Sequence, residues 1–332
     1  MLYVINDNTY PPKNFGIEEY LMKNTDEEVF MFWRNVPVVI IGKNQDVYAE
    51  VNLDNAREND IGIYRRKSGG GAVYHDLNNL QYSYISSNIG LKGKDSFELF
   101  AKPVVDALRN LGLNAEFTGR NDILIDGAKV SGNAQYRYKK RIIHHGTLLF
   151  DTDKETIAKV LYSRPIKFQN KSVKSVSSRV GSIKEKINMD LKEFIQYLQE
   201  YVIEYYEIAN ENILTLEDLD MVKIEEYAKP FEQDSWNLGE DYEKDHASFS
   251  VKYPYGLVEY KLRSKNNKID SLYIQGDYFE NKDVEILYEA LLGKELDRDI
   301  LEYSLSSYEI SDYINGMDRK TLIDDLMKMK EA

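Results

Sequence analysis

Gly119-Arg120-Asn121-Asp122-Ile123-Leu124-Ile125-Asp126-Gly127-Ala128-Lys129-Val130-Ser131-Gly132-Asn133-Ala134 is the stretch that decides the fold. Ile123-Leu124-Ile125 is a short apolar run of strand character. Asp126-Gly127 is a strong two-residue hairpin turn. Ala128-Lys129-Val130-Ser131 then begins a return strand, and a second polar turn near Tyr138–Arg141 leads into a third strand over Ile142–Phe150. Strands joined by tight hairpins run antiparallel, so an all-parallel sheet is ruled out. The expected class is α+β with a mixed or antiparallel sheet.

Working outward, Val29–Trp33 and Val38–Ile41 read as short buried strands. Asn14–Asn24 reads as a helix with Ile17, Tyr20 and Leu21 on one side. Asp95–Leu111 is a second helix, capped by Asp95 or Ser96 and closed by Gly112; Pro103 inside it predicts a kink or a later start. Helices follow over Asp190–Tyr206 and Leu216–Ala228. From Phe249 the texture changes. Ser250–Tyr253, Leu257–Leu262 and Ser271–Gln275 read as strands, and Val284–Leu292 and Arg319–Met329 as helices. The expected division is a domain of residues 1–245 and a smaller α+β domain of residues 246–332.

The chain has 332 residues, 42% apolar and 30% charged, the mix of a globular protein with a sizeable core. Its longest apolar run, Val36–Ile41, is far too short to span a bilayer, and no basic region precedes a long apolar stretch at the N-terminus. The expectation is a cytoplasmic protein that binds no membrane. There are no cysteines, which excludes disulfides, thiolate–zinc sites and thiol nucleophiles. A net charge of −13 argues against a general nucleic-acid binder. Basic residues nevertheless concentrate in 120–150 and 164–186, which suggests a phosphate, an acidic protein or both as partner.

Three constellations can carry chemistry. Arg65-Arg66-Lys67-Ser68-Gly69-Gly70-Gly71-Ala72-Val73-Tyr74-His75-Asp76 joins two planar cationic forks to a glycine run whose backbone can approach an anion closely. A flexible surface loop is the alternative. It is neither a Rossmann fingerprint nor a Walker loop. In the second, Asn121 and Asp122 offer oxygen ligands to a magnesium ion, and Lys129 sits on a rigid return strand. A solvent-facing strand lysine is the plain alternative there. The third is His144-His145-Gly146-Thr147, whose adjacent histidines must face opposite sides of a strand. They cannot easily chelate one metal, so one should point at the site and the other at core or solvent.

Together these segments resemble the lipoate–protein ligase family of the biotin/lipoate ligase superfamily. The matching strings are Arg-Arg-x-Ser-Gly-Gly-Gly-Ala-Val-Tyr-His-Asp at 65–76, Gly-Arg-Asn-Asp at 119–122, Lys-Val-Ser-Gly-Asn-Ala at 129–134 and His-His-Gly-Thr-Leu-Leu at 144–149. A fifth, Lys174-Ser175-Val176-Ser177-Ser178-Arg179-Val180, is similar to the family's adenylate-covering loop. Phe249–Ala332 resembles its small C-terminal accessory domain, as in Ile274-Gln275-Gly276-Asp277-Tyr278-Phe279. One departure is Asn78-Asn79, where the family commonly has Gly-Asn.

The resemblance implies a fold and a two-step reaction. Lipoate and ATP give lipoyl-AMP and pyrophosphate; a lysine of a lipoyl domain then displaces AMP to form an amide. By the same resemblance, Lys129 bridges the lipoate carboxylate and the α-phosphate. Arg66 with Gly71, Ala72, Val73 and Tyr74 binds ATP. Ser68, Gly70 and His145 bind lipoate, and apolar residues near Val73 and Leu148 line a tunnel for its tail. Asp122 helps place Mg2+, and Lys174 and Arg179 belong to the covering loop. The implied acceptors are lipoyl domains of dehydrogenase E2 subunits or the glycine-cleavage H protein, and a monomer is expected. Superfamily members that pass the acyl group through a cysteine thioester are a poor match, since this chain has no cysteine. Biotin ligases match the glycine and histidine strings less well.

Overall fold

In the computed structural model, residues 1–87, 90–91, 93–119, 121–162, 180–239 and 246–330 are described. The hairpin reading holds in detail. Asp126 and Gly127 have φ of 51° and 80°, the two positive values a tight two-residue turn requires. The strands on either side, Asp122–Ile125 and Ala128–Tyr138, pair antiparallel, and Ala128–Tyr138 pairs antiparallel with Arg141–Leu148.

These strands belong to an eight-stranded sheet. Its order is Ile213–Leu214, Leu2–Ile5, Val29–Trp33, Leu80–Ser87, Arg141–Leu148, Ala128–Tyr138, Asp122–Ile125 and Ala115–Thr118. The first two pairings are parallel and the rest antiparallel, so the sheet is mixed. One face packs on the helices Gly93–Asn110 and Leu191–Tyr205 through Phe100, Val104, Leu108, Phe194 and Leu198. Pro103 lies inside the first of these, which continues past it as one helix, and Gly112 closes it with φ of 79°. The other face packs on Pro11–Asn24 through Phe15, Ile17 and Leu21. A three-stranded sheet, Gly62–Arg65, Val38–Ile41 and Val73–His75, carries the glycine run between its outer strands.

The helix expected over Leu216–Ala228 is broken. Leu216–Asp218 is a 3-10 turn, and Asp220 caps a separate helix, Met221–Ala228, by accepting from the Lys223 N–H. A short acidic side chain in that position competes for the backbone and favours a fresh start over continuation.

Residues beyond 246 form an antiparallel sheet, Ala247–Tyr253, Gly256–Lys265 and Lys268–Gly276, with three helices on it, Glu285–Leu291, Arg298–Ser304 and Arg319–Met329. Its core is drawn wholly from Phe249 to Met329. The boundary expected at 245 lies outside the described residues. The two parts meet over the glycine run. Gly70 N–H donates to the Tyr278 carbonyl at 3.1 Å, and Asn44 Nδ2 donates to Glu280 Oε2 at 2.6 Å. Lys261 pairs with Asp46 at 2.6 Å, both buried. Gly70 has φ of 91°, and a Cβ there would stand 2.8 Å from the Phe279 ring, so only glycine serves.

Candidate active site

The position of Lys129 depends on a β-bulge. Leu124 faces Lys129 across the hairpin, but Ile123 faces Ser131 and Asp122 faces Gly132, so Val130 is an extra residue. In a regular strand Lys129 and Gly132 would face opposite sides, being three apart. The bulge changes the parity, and a Cβ on Gly132 would lie 3.1 Å from Lys129 Nζ. Lys129 therefore joins Gly132 and Ala134 on the open face, while Val130 drops into the core. Its ammonium pairs with Asp122 Oδ1 at 2.7 Å.

Two cavities meet at this lysine. The first, about 110 Å³, is lined by Phe15, Trp33, Ile40, Val73, Ala134 and His145 among others, and is mostly apolar. The second, about 260 Å³, is lined by Tyr74, Asp122, Leu149, Ile157, Leu161 and Val180. Lys129, Gly132, Ala72, Val73 and Thr147 border both.

Of the residues expected at the site, Arg66, Gly70, Gly71, Ala72, Val73, Lys129 and His145 gather on the first cavity. Tyr74 and Asp122 line the second. Ser68 lines neither cavity. It is fully buried and lies behind the wall, with Oγ 2.7 Å from His145 Nε2 and accepting from Arg66 Nε at 3.0 Å. His145 Nδ1 lies 3.0 Å from Glu18 Oε1, so both ring nitrogens already have protein partners. His145 thus offers the cavity its ring rather than a free nitrogen. His144 faces the other way, fully buried against Tyr82, Phe97 and Phe100, where burial holds its pKa well below the ordinary value. Of the apolar residues expected near Val73 and Leu148, Val73 lines both cavities and Leu149 lines the second, while Leu148 itself packs in the core; Phe15, Trp33 and Ile40 add to the apolar wall of the first cavity. Lys174 and Arg179 lie outside the described residues.

Arg66 also differs from a free phosphate ligand. Besides Ser68 Oγ, its guanidinium donates to the carbonyls of Ile40, Gly69 and Gly71 at 3.2, 2.7 and 2.9 Å. Burial lowers its pKa to about 10, so it stays charged at neutral pH. It shapes the glycine run from inside while bordering the cavity. Asp122 is a hard oxygen donor, but among the described residues no three His, Asp or Glu side chains cluster to hold a metal. One carboxylate beside phosphate oxygens is enough for magnesium, so Asp122 fits that ion only in company with nucleotide.

Glu280 gives the seam between the two parts a pH dependence. Burial, opposed by Lys43, raises its carboxyl from 4.5 to about 7. The folded state thus favours the protonated form. Stability is full below the ordinary carboxylate range and falls as pH rises through about 7. The difference corresponds to at most about 3 kcal/mol. Glu280→Gln should match wild type in thermal unfolding at pH 4 and exceed it at pH 8. Parallel unfolding curves of the two proteins across that range would count against the shift.

Sequence reasoning missed Phe15, Glu18, Trp33, Gln81 and Phe279. Val29–Trp33 is buried at every position, so no alternation marks which face meets the cavity. Phe279 reaches Phe97 and Ala134 from the far end of the chain.

With this geometry in view, the relationships are clear. The model of the lipoyl protein ligase A/B catalytic domain matches residues 10–203, and that of the bacterial lipoate protein ligase C-terminus matches residues 246–326. Lipoate-protein ligase LplJ of Bacillus subtilis is 37% identical over 98% of this chain and 99% of its own. The solved P. falciparum LipL1 in complex with lipoate superposes with a TM-score of 0.79 at 22% identity, covering 98% of both chains. A solved lipoate-protein ligase A bound with ATP gives 0.60 at 26% identity, over 72% of this chain and 98% of that one. The two models together mark the chain as a lipoyl protein ligase with the bacterial C-terminal part. Within that class, the chain belongs to the lipoate–protein ligase family.

Proposed function

We propose that this protein is an ATP-dependent lipoate–protein ligase whose two cavities hold the acyl chain and the nucleotide on either side of Lys129. The observation that carries the reading is the ammonium of Lys129, the one lysine among the described residues on the border of both cavities. Lipoate lies along the apolar wall of Phe15, Trp33, Ile40 and Val73. ATP lies against Ala72, Val73 and Tyr74, with Asp122 beside its phosphates. A carboxylate oxygen attacks the α-phosphorus, the bond to pyrophosphate breaks, and lipoyl-AMP forms. Two anions must approach each other in this step, and negative charge grows on the α-phosphate oxygens. The Lys129 cation stabilises that charge more than it stabilises the separate substrates. Bound Mg2+ would neutralise phosphate charge, with Asp122 as its protein ligand. In the second step an acceptor lysine amine attacks the acyl carbonyl, an amide forms and AMP leaves. Arg66 holds the glycine run in shape, and Ser68 and His145 support Arg66 and the acyl wall.

The acceptors are lipoyl domains of dehydrogenase E2 subunits or the glycine-cleavage H protein, and the enzyme works as a cytoplasmic monomer. Lipoate-dependent exchange of pyrophosphate into ATP tests the reading. No exchange with lipoate present would refute it.

The same reading divides the chain into a catalytic domain of residues 1–245 and an accessory domain of residues 246–332. Removing the latter strips the Tyr278 carbonyl and the Phe279 ring from Gly70. The truncated protein should transfer lipoate from supplied lipoyl-AMP but make the adenylate poorly. Equal rates for the cut and intact proteins in both half-reactions would argue against this division of labour.

A further inference from the structure

Two side chains on the wall of the first cavity carry polar atoms with no protein partner among the described residues. They are His75, at Nε2, and Gln81, at both amide atoms. Both residues are nearly inaccessible, 5% and 1% exposed. Buried polar groups left without a partner are uncommon, and each costs about 1–3 kcal/mol. Leucine or valine at these places would line a cavity for hydrocarbon without that cost.

The proton on His75 can be assigned from its neighbours. Asn14 Nδ2 donates to the Arg34 carbonyl at 2.9 Å, which fixes the orientation of that amide. It also donates to Asn35 Oδ1 at 2.9 Å, so Asn35 turns Nδ2 toward His75 Nδ1 at 3.0 Å. Nδ1 is therefore the acceptor, and Nε2 carries the hydrogen. Burial and the Arg66 charge lower the His75 pKa to about 3, so the ring stays neutral with one N–H free. Gln81 stands between Trp33 and Thr147 in the eight-stranded sheet, and the Trp33 ring meets the His75 ring edge-on at 6.2 Å. The two unpartnered groups thus flank the tryptophan wall.

We propose that His75 and Gln81 are specificity-determining residues that select an acyl chain carrying divalent sulfur over an unsubstituted alkyl chain of the same length. The proposal rests on the ligase reading and adds the basis of chain selection. Sulfur is a weak acceptor for the His75 N–H and the Gln81 N–H, whereas a methylene leaves both unpaired and dry. A site with waiting donors rejects the analogue that lacks the acceptor.

The test compares kcat/KM for lipoate and octanoate in pyrophosphate release, using the full-length protein. Wild type should favour lipoate. Gln81→Leu should lower the lipoate-to-octanoate ratio about tenfold, the effect of one weak hydrogen bond. The fall should arise from a higher KM for lipoate and a lower KM for octanoate. Improved use of octanoate also shows that the variant is folded. His75→Phe should move the ratio the same way. A ratio unchanged in both variants, or equal losses with both acids, would overturn the proposal while leaving the ligase reading intact. A wild-type enzyme that activates neither acid would sink the ligase reading and this proposal with it.

Discussion

Lys129→Met should reduce lipoate-dependent ATP–pyrophosphate exchange by about 10²-fold or more. Methionine keeps most of the length and bulk of lysine and removes only the charge. The loss should fall on kcat, because the ammonium acts on charge that develops as the carboxylate meets the α-phosphate. Stability should hardly change. Lys129 is about one-third exposed, and its partner Asp122 equally so. Partly exposed pairs of this kind contribute about 0–1 kcal/mol. Unaltered thermal unfolding beside lost exchange would separate chemistry from folding. Lys129→Arg should also be poor, since the ammonium lies within 3.1 Å of where a Cβ on Gly132 would be, and a guanidinium is wider. Near wild-type exchange by the methionine variant would remove Lys129 from the mechanism.

The parts of this site legible in the sequence are those set by local chemistry. Asp126-Gly127 specifies its turn because few other residue pairs accept two positive φ values. The glycine run is visible because close backbone approach leaves a compositional mark. The opposed faces of His144 and His145 follow from strand periodicity alone. What escaped depends on distant partners. The bulge at Val130 reverses the parity that would point Lys129 away from Gly132, and no residue type in Ala128–Ser131 signals it. Gln81 sits in Leu80–Ser87, where all but the last residue are buried, so neither face is marked as core or cavity. The Tyr278 carbonyl on Gly70 joins residues about 200 positions apart through backbone atoms, which carry no side-chain signature.

Arg66→Lys should be nearly as damaging as loss of Lys129, for a different reason. Arg66 donates to four acceptors in separate directions: Ser68 Oγ and the carbonyls of Ile40, Gly69 and Gly71. A lysine keeps the positive charge but concentrates its donors at one atom, so it cannot reach all four. Each buried acceptor left without a donor costs about 1–3 kcal/mol. Two such losses amount to about 2–6 kcal/mol, a large share of the stability of an ordinary domain. The glycine run should then lose the shape that presents its backbone to nucleotide. The expected result is a clear fall in Tm together with a KM for ATP raised tenfold or more. These two readouts distinguish an internal brace from a simple phosphate ligand. If Arg66 acted only as an exposed cation toward ATP, lysine would preserve Tm and weaken ATP binding modestly. A variant with wild-type Tm would therefore show that the bonds to the glycine run are dispensable, and that Arg66 serves the nucleotide directly.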